Sequence, residues 1–130
     1  MNCLFYYGLK PIIETELYLR NHNLKLYLRN VLVKFRLGVT AINCHRYMYS
    51  SYLELKKCPF CVRDTFEDEL HVLFICPLYE DIRHKYFNDS LIIDQNKVHE
   101  FIVDHYYIVS KYLHDAFIVR NRILDKRIKK

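Results

Sequence analysis

Apolar residues recur at three- and four-residue steps along two long stretches of the chain. The first stretch, residues 14–37, is predicted to be a basic amphipathic helix that ends at Gly38. The second, residues 97–130, is predicted to be a C-terminal helical tail with a break between Asp104 and Tyr107. The recurring positions are Leu17, Leu24, Leu28, Val31, Leu32 and Phe35 in the first stretch, and Tyr112, Ala116, Val119 and Ile123 in the second.

The segment between these stretches has weaker periodicity. We predict a loop over residues 39–57, with a short helix around Cys44 to Tyr49. Thr65, followed three residues later by Asp68, has the form of a capping box before an apolar run. That pattern predicts a helix from Phe66 to about Ile75.

A proline begins the next predicted helix. Pro77 cannot continue a preceding helix but suits a first turn, so residues 77–87 are predicted as a second short helix. Its buried residues are predicted to be Leu78, Ile82 and Phe87. The 130-residue chain has only two glycines and three prolines and shows no internal repeat. We therefore predict a single small domain, mainly α, built around residues 56–87.

The net charge of +5 is unevenly distributed. Residues 1–57 hold nine Lys/Arg and three Asp/Glu, residues 58–100 hold four and nine, and residues 101–130 hold seven and three. Basic flanks around an acidic middle suggest a polyanionic partner such as RNA or DNA. The alternative is that the basic residues are ordinary solvated faces of helices.

The compartment is predicted from the apolar runs and the cysteines. No apolar run is long enough to span a membrane, and the N-terminus lacks the basic region and cleavage site of a signal peptide. We therefore expect a cytoplasmic or nuclear protein that is not secreted and has no membrane partner. Five cysteines in a reducing compartment indicate metal ligands and buried thiols rather than disulfides.

One pattern in the middle of the chain is typical of a metal site. Cys58, Cys61, His71 and Cys76 have the spacing C-x2-C-x9-H-x4-C. Three thiolates and one imidazole complete a closed tetrahedral zinc shell with no position left for water. The spacing therefore predicts one structural Zn²⁺ ion. Soft sulfur ligands favour zinc over magnesium or calcium.

Other interpretations of the cysteines and histidines are weaker. A dithiol oxidoreductase would place Cys58 at the N-terminus of a helix, directly after a buried strand, and the preceding residues are too polar and too few for such a strand. The Cys44-His45 pair and His84 could compete as ligands, but we treat them as non-ligands. Cys3 is interpreted as a thiol near the terminus.

Several short segments of the sequence resemble those of a known family. The stretch from Leu32 to Phe87 contains "LVKFRLG", "CHRYMY", "KKCPFC" and "EDELHVLFICPLYEDIRHKYF" in that order. These segments resemble the zinc-binding domain that follows the polymerase in LINE-type (non-LTR) retrotransposon reverse transcriptases, especially the jockey-like group. The resemblance covers about half of the chain.

The resemblance implies a role in binding nucleic acid. It assigns Cys58, Cys61, His71 and Cys76 as zinc ligands and implies RNA or DNA as the partner, beside a reverse transcriptase polymerase domain. We expect no enzymatic activity, because the chain has no Asp-Asp pair of the kind that polymerase catalysis requires. Adjacent carboxylates at residues 67–69 are explained by helix capping and the helix dipole.

The favoured hypothesis is a zinc-stabilised nucleic-acid-binding module without a small-molecule substrate. Tyr47 and Phe60 are candidates to stack on unpaired bases. The alternative is a zinc-scaffolded protein-interaction domain, or an inactive remnant, that does not bind nucleic acid. The predicted phosphate contacts are Lys25, Arg29, Lys34, Arg36, Arg46, Arg120, Arg122, Lys126 and Arg127.

Overall fold

Helices form nearly all of the regular structure in a computed structural model of the chain, which describes residues 21, 23–62, 64–87 and 97–128. No strand is present in these residues, so the mainly α fold class is confirmed. The α-helices are α1 (Leu26–Leu37), α2 (Asn43–Arg46), α3 (Glu80–Tyr86), α4 (Val98–Asp104) and α5 (Tyr106–Ile128). Shorter helical turns are the 3-10 helices Leu53–Lys56 and Pro77–Tyr79 and the π-helical turn His71–Ile75.

Helix α1 buries one face and ends as predicted. Leu28, Leu32 and Phe35 are buried at steps of four and three residues. Gly38 adopts the left-handed conformation with φ 73°, which costs glycine little because it has no Cβ. The backbone N–H of Val39 then donates to the Lys34 carbonyl at 3.0 Å and closes the last turn.

Helix α1 starts later than the periodicity predicted. Residues 14–20 lie outside the described part, but Lys25 has an extended backbone and the helix begins at Leu26. The physical reason lies at Asn21, whose side-chain Oδ1 accepts the backbone N–H of Asn23 at 2.9 Å. Asparagine turns of this kind satisfy backbone groups locally and so compete with the helix.

A tight reversal precedes the π-helical turn. Lys57 and Phe66 form an isolated antiparallel bridge, and residues 57–66 are called the knuckle below. The N–H of Cys58 donates to the Thr65 carbonyl at 2.9 Å, so Thr65 and Phe66 belong to this reversal and not to a helix. The predicted helix start at Phe66 is therefore wrong. Asp68 instead caps the π-helical turn, because its Oδ1 accepts the N–H of His71, the first residue of that turn, at 2.8 Å.

The second half of the chain follows the prediction more closely. Pro77 opens a 3-10 turn that leads into α3, as its missing N–H predicts. Of the predicted buried residues of this segment, Phe87 is buried, whereas Leu78 and Ile82 are only half-buried. His105 separates α4 from α5 at the predicted break. The segment between α3 and α4 lies mostly outside the described residues.

Helix α5 forms the centre of the core. It packs against α1, α3 and α4, and Tyr112, Leu113 and Ala116 are almost completely buried on its inner face. Phe87 stacks on Tyr112 with ring centroids 4.6 Å apart. Within the described residues, no helix combines the length and the hydropathy that crossing a membrane requires.

Candidate metal centre

Four side chains meet where the knuckle faces the π-helical turn. One potential ligand atom from each of Cys58, Cys61, His71 and Cys76 lies within 4.8 Å of the other three. The Sγ atoms of Cys58 and Cys76 are 3.8 Å apart, and Cys61 Sγ lies 3.5 Å from His71 Nε2. Three of the four residues are buried and Cys61 is half-buried. This group could hold a metal ion.

The π-helical turn explains how His71 and Cys76 reach the same side. In an α-helix, residues five apart point about 140° away from each other around the axis. Here the Cys76 N–H donates to the His71 carbonyl at 2.8 Å, an i to i+5 bond that widens the turn and reduces that angle. Such turns occur mostly as single inserts and often at functional sites. Helical periodicity in the sequence could not have predicted this turn.

The hydrogen bond between two of the thiols changes their proton affinity when no metal is bound. The hydrogen bond to Cys76, followed by burial, raises the pKa of Cys58 to about 12. The same hydrogen bond lowers the pKa of Cys76, so the two sulfurs tend to share one proton. A metal ion would replace that proton, because the thiolate is the form that binds metals.

Other candidate ligands are engaged elsewhere. Cys44 is buried, with its Sγ 3.8 Å from the Lys56 carbonyl, and lies outside the group. His84 is exposed on α3 and faces Glu80. The four cysteines in the described part form no disulfide, and Cys58 is followed by bends rather than a helix. The helix N-terminus that a dithiol oxidoreductase requires is therefore absent from this position.

A buried histidine network supports the loop beside the metal group. The Thr40 backbone N–H donates to His45 Nδ1 at 3.2 Å, so Nδ1 is an acceptor and Nε2 carries the proton. His45 Nε2 donates in turn to Glu69 Oε1 at 2.6 Å. His45 and Glu69 are 6% and 1% exposed, so this charge-assisted bond is shielded from water. It joins α2 to Glu69, two residues before the π-helical turn.

A second buried pair joins Glu67, the residue after the knuckle, to α5. Arg120 donates from Nε to Glu67 Oε2 at 2.9 Å and from its terminal nitrogen to Oε1 at 2.8 Å, which makes a two-pronged pair. The Asn43 backbone N–H also donates to Glu67, at 2.6 Å. Glu67 is fully buried, so helix capping does not explain this carboxylate. The sequence offered no signal for the pairing, since Glu67 and Arg120 are far apart along the chain.

The basic residues that were predicted to contact phosphates differ in their exposure to solvent. Arg36 and Arg120 are 0% and 3% exposed, because Arg36 lies one turn after Leu32 on the inner face of α1 and Arg120 pairs with Glu67. The expectation that these two arginines contact phosphates is therefore corrected. Arg29 is half-buried and donates to the Asn21 carbonyl at 2.6 Å. The exposed members of the set are Lys25, Lys34, Arg46, Arg122, Lys126 and Arg127.

The predicted stacking residues are partly covered. Phe60 is half-buried, and the guanidinium groups of Arg120 and Arg127 lie 5.4 and 5.3 Å from its ring centroid. Arg127 also donates to the Pro59 carbonyl at 2.8 Å. Arg46 lies 5.3 Å from the ring centroid of the half-buried Tyr47. Phe60 thus connects the knuckle to α5, and the two guanidinium groups beside its ring make it a poor candidate for stacking on a base.

No protein-family model matches the sequence, and no curated protein or solved structure is significantly similar to it.

Proposed function

We propose that this chain is a zinc-stabilised nucleic-acid-binding module with no polymerase activity of its own. Its resemblance to the zinc-binding domain of LINE-type reverse transcriptases motivates the proposal. Two structural features support it: the Cys58, Cys61, His71 and Cys76 group, and a cleft lined by cations without carboxylates. The second feature carries the claim of nucleic-acid binding, because zinc alone would fit many functions.

Two of the six separations between ligand atoms match the edges of a zinc tetrahedron, and all six are within 4.8 Å. With Zn–S bonds of about 2.3 Å and Zn–N bonds of about 2.0–2.1 Å, a regular tetrahedron has S–S edges of about 3.8 Å and S–N edges of about 3.5 Å. The measured separations are 3.8 Å for Cys58 and Cys76 and 3.5 Å for Cys61 and His71. Four ligands of this type fill the zinc shell, which supports a structural ion rather than a catalytic one.

Zinc would organise the fold rather than attract phosphate. Three thiolates around a dication leave a net charge of about −1. The knuckle contacts α5 through Arg127 and Phe60, and Glu67 contacts it through Arg120. A fixed knuckle therefore holds the end of α5 in place.

The exposed cations of α1 and α2 line two adjoining clefts, which we call the basic cleft. Lys34 lines one part, together with Phe117 and Asn121 of α5. Arg46 lines the other part, and Val39 and Thr40 line both. Neither part is lined by a carboxylate, so positive charge dominates there.

Arg122 has a different environment. It lines a groove between α3 and α5 that also contains Asp81 and Asp115. Lys85 lines the groove as well, so two carboxylates face two cations and the groove offers a phosphate backbone no excess of positive charge. We therefore assign the main phosphate contacts to Lys34 and Arg46; Lys25, Lys126 and Arg127 are exposed but do not line the basic cleft.

The test is the salt dependence of nucleic-acid binding. Affinity for a fluorescent oligonucleotide should fall with salt by about 0.7 to 0.9 log units per log unit of salt for each phosphate neutralised. The double variant Lys34→Gln, Arg46→Gln should weaken binding and reduce the slope by about this amount for each phosphate that is no longer neutralised. The double variant Lys85→Gln, Lys97→Gln removes the same charge from exposed lysines outside the basic cleft and should change the slope little.

Weak binding that is insensitive to salt would contradict the proposal. It would favour the alternative, a zinc-scaffolded protein-interaction domain. That alternative has one observation behind it, the exposure of large apolar side chains such as Leu26 at 68% and Val39 at 61%. A polymerase domain of the reverse transcriptase type is the partner that the resemblance suggests for such a surface.

A further inference from the structure

Two tyrosines project from the loop between α2 and the 3-10 helix Leu53–Lys56. Tyr49 is 91% exposed and Tyr52 is 73% exposed. Among the described residues, neither ring stacks on another ring or on a cation. Exposed single aromatics are common, but two exposed rings within four residues of the chain give flat groups two places to stack.

The loop that carries these tyrosines is held in place by hydrogen bonds. The Ser50 N–H donates to the Tyr47 carbonyl at 3.0 Å, and the Tyr52 N–H donates to Ser50 Oγ at 3.1 Å. Lys56, only 2% exposed, donates from Nζ to the Met48 carbonyl at 3.2 Å. A buried ammonium group therefore fixes the middle of the loop. The rings are exposed on a pre-formed backbone, which reduces the entropic cost of binding.

Tyr49 also belongs to the basic cleft. With Arg46, Gly38 and Met48 it lines the part that has a volume of about 430 Å³, which is within the range of about 300–1,000 Å³ typical of ligand sites. Arg46 is exposed, and within the described residues it forms no ion pair. An aromatic ring next to a cation matches the two parts of a nucleotide, the flat base and the charged phosphate.

We propose that Tyr49 and Tyr52 stack on unpaired bases of a single-stranded nucleic acid while Arg46 contacts the adjacent phosphate. This inference rests on the proposed function and adds which form of nucleic acid is bound. Bases in a duplex are stacked on each other and cannot present their faces to a side chain, so the protein should prefer single strands. The charge of the basic cleft favours this polyanion over an apolar protein partner.

The experiment compares a labelled single-stranded 20-mer with a duplex of the same length at fixed salt. The double variant Tyr49→Ala, Tyr52→Ala should lose about five- to a hundredfold in single-strand affinity per stacked base and little in duplex affinity. Replacement of both tyrosines by Phe should keep the single-strand affinity, because stacking needs the ring and not the hydroxyl. Tyr107→Ala, at an exposed tyrosine of α5, is the matched control and should have no effect. Thermal unfolding of every variant checks that the fold is intact.

The outcomes separate this inference from the function on which it rests. An equal loss for single strand and duplex, or no loss in the alanine variant, would overturn the stacking role while leaving salt-dependent binding through Lys34 and Arg46 intact. Loss in the Phe variant would also overturn it, because it would assign the effect to the hydroxyls. If the unmodified protein binds neither oligonucleotide, the proposed function itself fails.

Discussion

Glu67 forms hydrogen bonds to several separate segments of the chain through both its backbone and its buried carboxylate. Its backbone N–H donates to the Lys56 carbonyl at 2.9 Å, and its own carbonyl accepts the Cys44 N–H at 3.2 Å. Its carboxylate accepts hydrogen bonds from Arg120 and from the Asn43 backbone. One fully buried side chain, next to the knuckle in sequence, thus connects α2 to α5. Burial acts to lower the pKa of the Arg120 guanidinium, but the hydrogen bonds to Glu67 and the electrostatic interactions with Glu67, Tyr79 and Cys58 together outweigh burial and raise that pKa.

Removal of the Glu67 charge should destabilise the fold strongly. Glu67→Gln keeps the shape of the side chain but leaves the Arg120 charge buried without a counter-ion. We expect a loss of about 3–5 kcal/mol in the free energy of unfolding, measured in urea. Glu54→Gln, which breaks the exposed pair with Lys57, is the control and should leave the urea midpoint unchanged. Equal midpoints for the two variants would contradict the role assigned to Glu67.

Metal affinity should depend on pH through the Cys58 thiol. Its pKa of about 12 in the metal-free protein means that the thiol is protonated at neutral pH and loses its proton on binding metal. Affinity should therefore rise with pH, by about tenfold per pH unit for this one proton. Competition with a chromogenic chelator between pH 6 and pH 8 measures the dependence. An affinity that stays constant over this range would exclude thiolate ligation.

The elements differ in how far the sequence could predict them. Periodicity predicted α1 and α5 because each buries one helical face, and Pro77 marked a helix start because proline lacks an N–H. The start of α1 was missed because the Asn21 turn competes with the helix. The helix after the knuckle was predicted to begin too early, at Phe66, because Thr65 and Phe66 pair with Cys58 and Lys57 instead of starting a helix. Hydrogen bonds outside the helical pattern decided both boundaries.

The residues of the candidate site also differ in how far the sequence could predict them. Cysteine and histidine spacing singled out the four residues of the metal group, since ligands for one ion must come from short segments that can converge. Charge alone selected Arg36 and Arg120 as surface contacts, but charge does not reveal burial. The partners of Glu67 and Glu69 come from distant segments, Arg120 on α5 and His45 on α2. Local patterns therefore found the metal group and missed the buried ion pairs around it.

A hydrogen bond from α5 to the π-helical turn should contribute measurably to stability. The Tyr112 hydroxyl donates to the Val72 carbonyl, and both residues are buried. Tyr112→Phe removes the donor and leaves a buried carbonyl without this partner, which should cost about 1–3 kcal/mol in unfolding free energy. Tyr107→Phe, where the side chain is about half exposed, should have no effect. Chemical denaturation of both variants gives the comparison, and equal stability would show that α5 is attached to this turn by packing alone.

At the scale of the whole molecule, the metal group lies where the knuckle, the π-helical turn and α5 meet. Arg83 of α3 also donates to the carbonyls of Leu73 and Cys76 and so joins the end of the turn to α3. A structural zinc ion stabilises small domains by on the order of 10 kcal/mol, which is comparable to the total stability of about 5–15 kcal/mol of a typical domain. We therefore expect these elements to adopt this arrangement only when the metal is bound.

The most direct test of this account is the metal content of the protein purified without added zinc, measured by elemental analysis beside His71→Ala and the exposed control His84→Ala. We predict one zinc ion per chain in the unmodified protein and in His84→Ala, and loss of zinc together with helix content in His71→Ala. Absence of metal from the unmodified protein, or a His71→Ala variant that matches it in zinc and in helix content, would contradict the account.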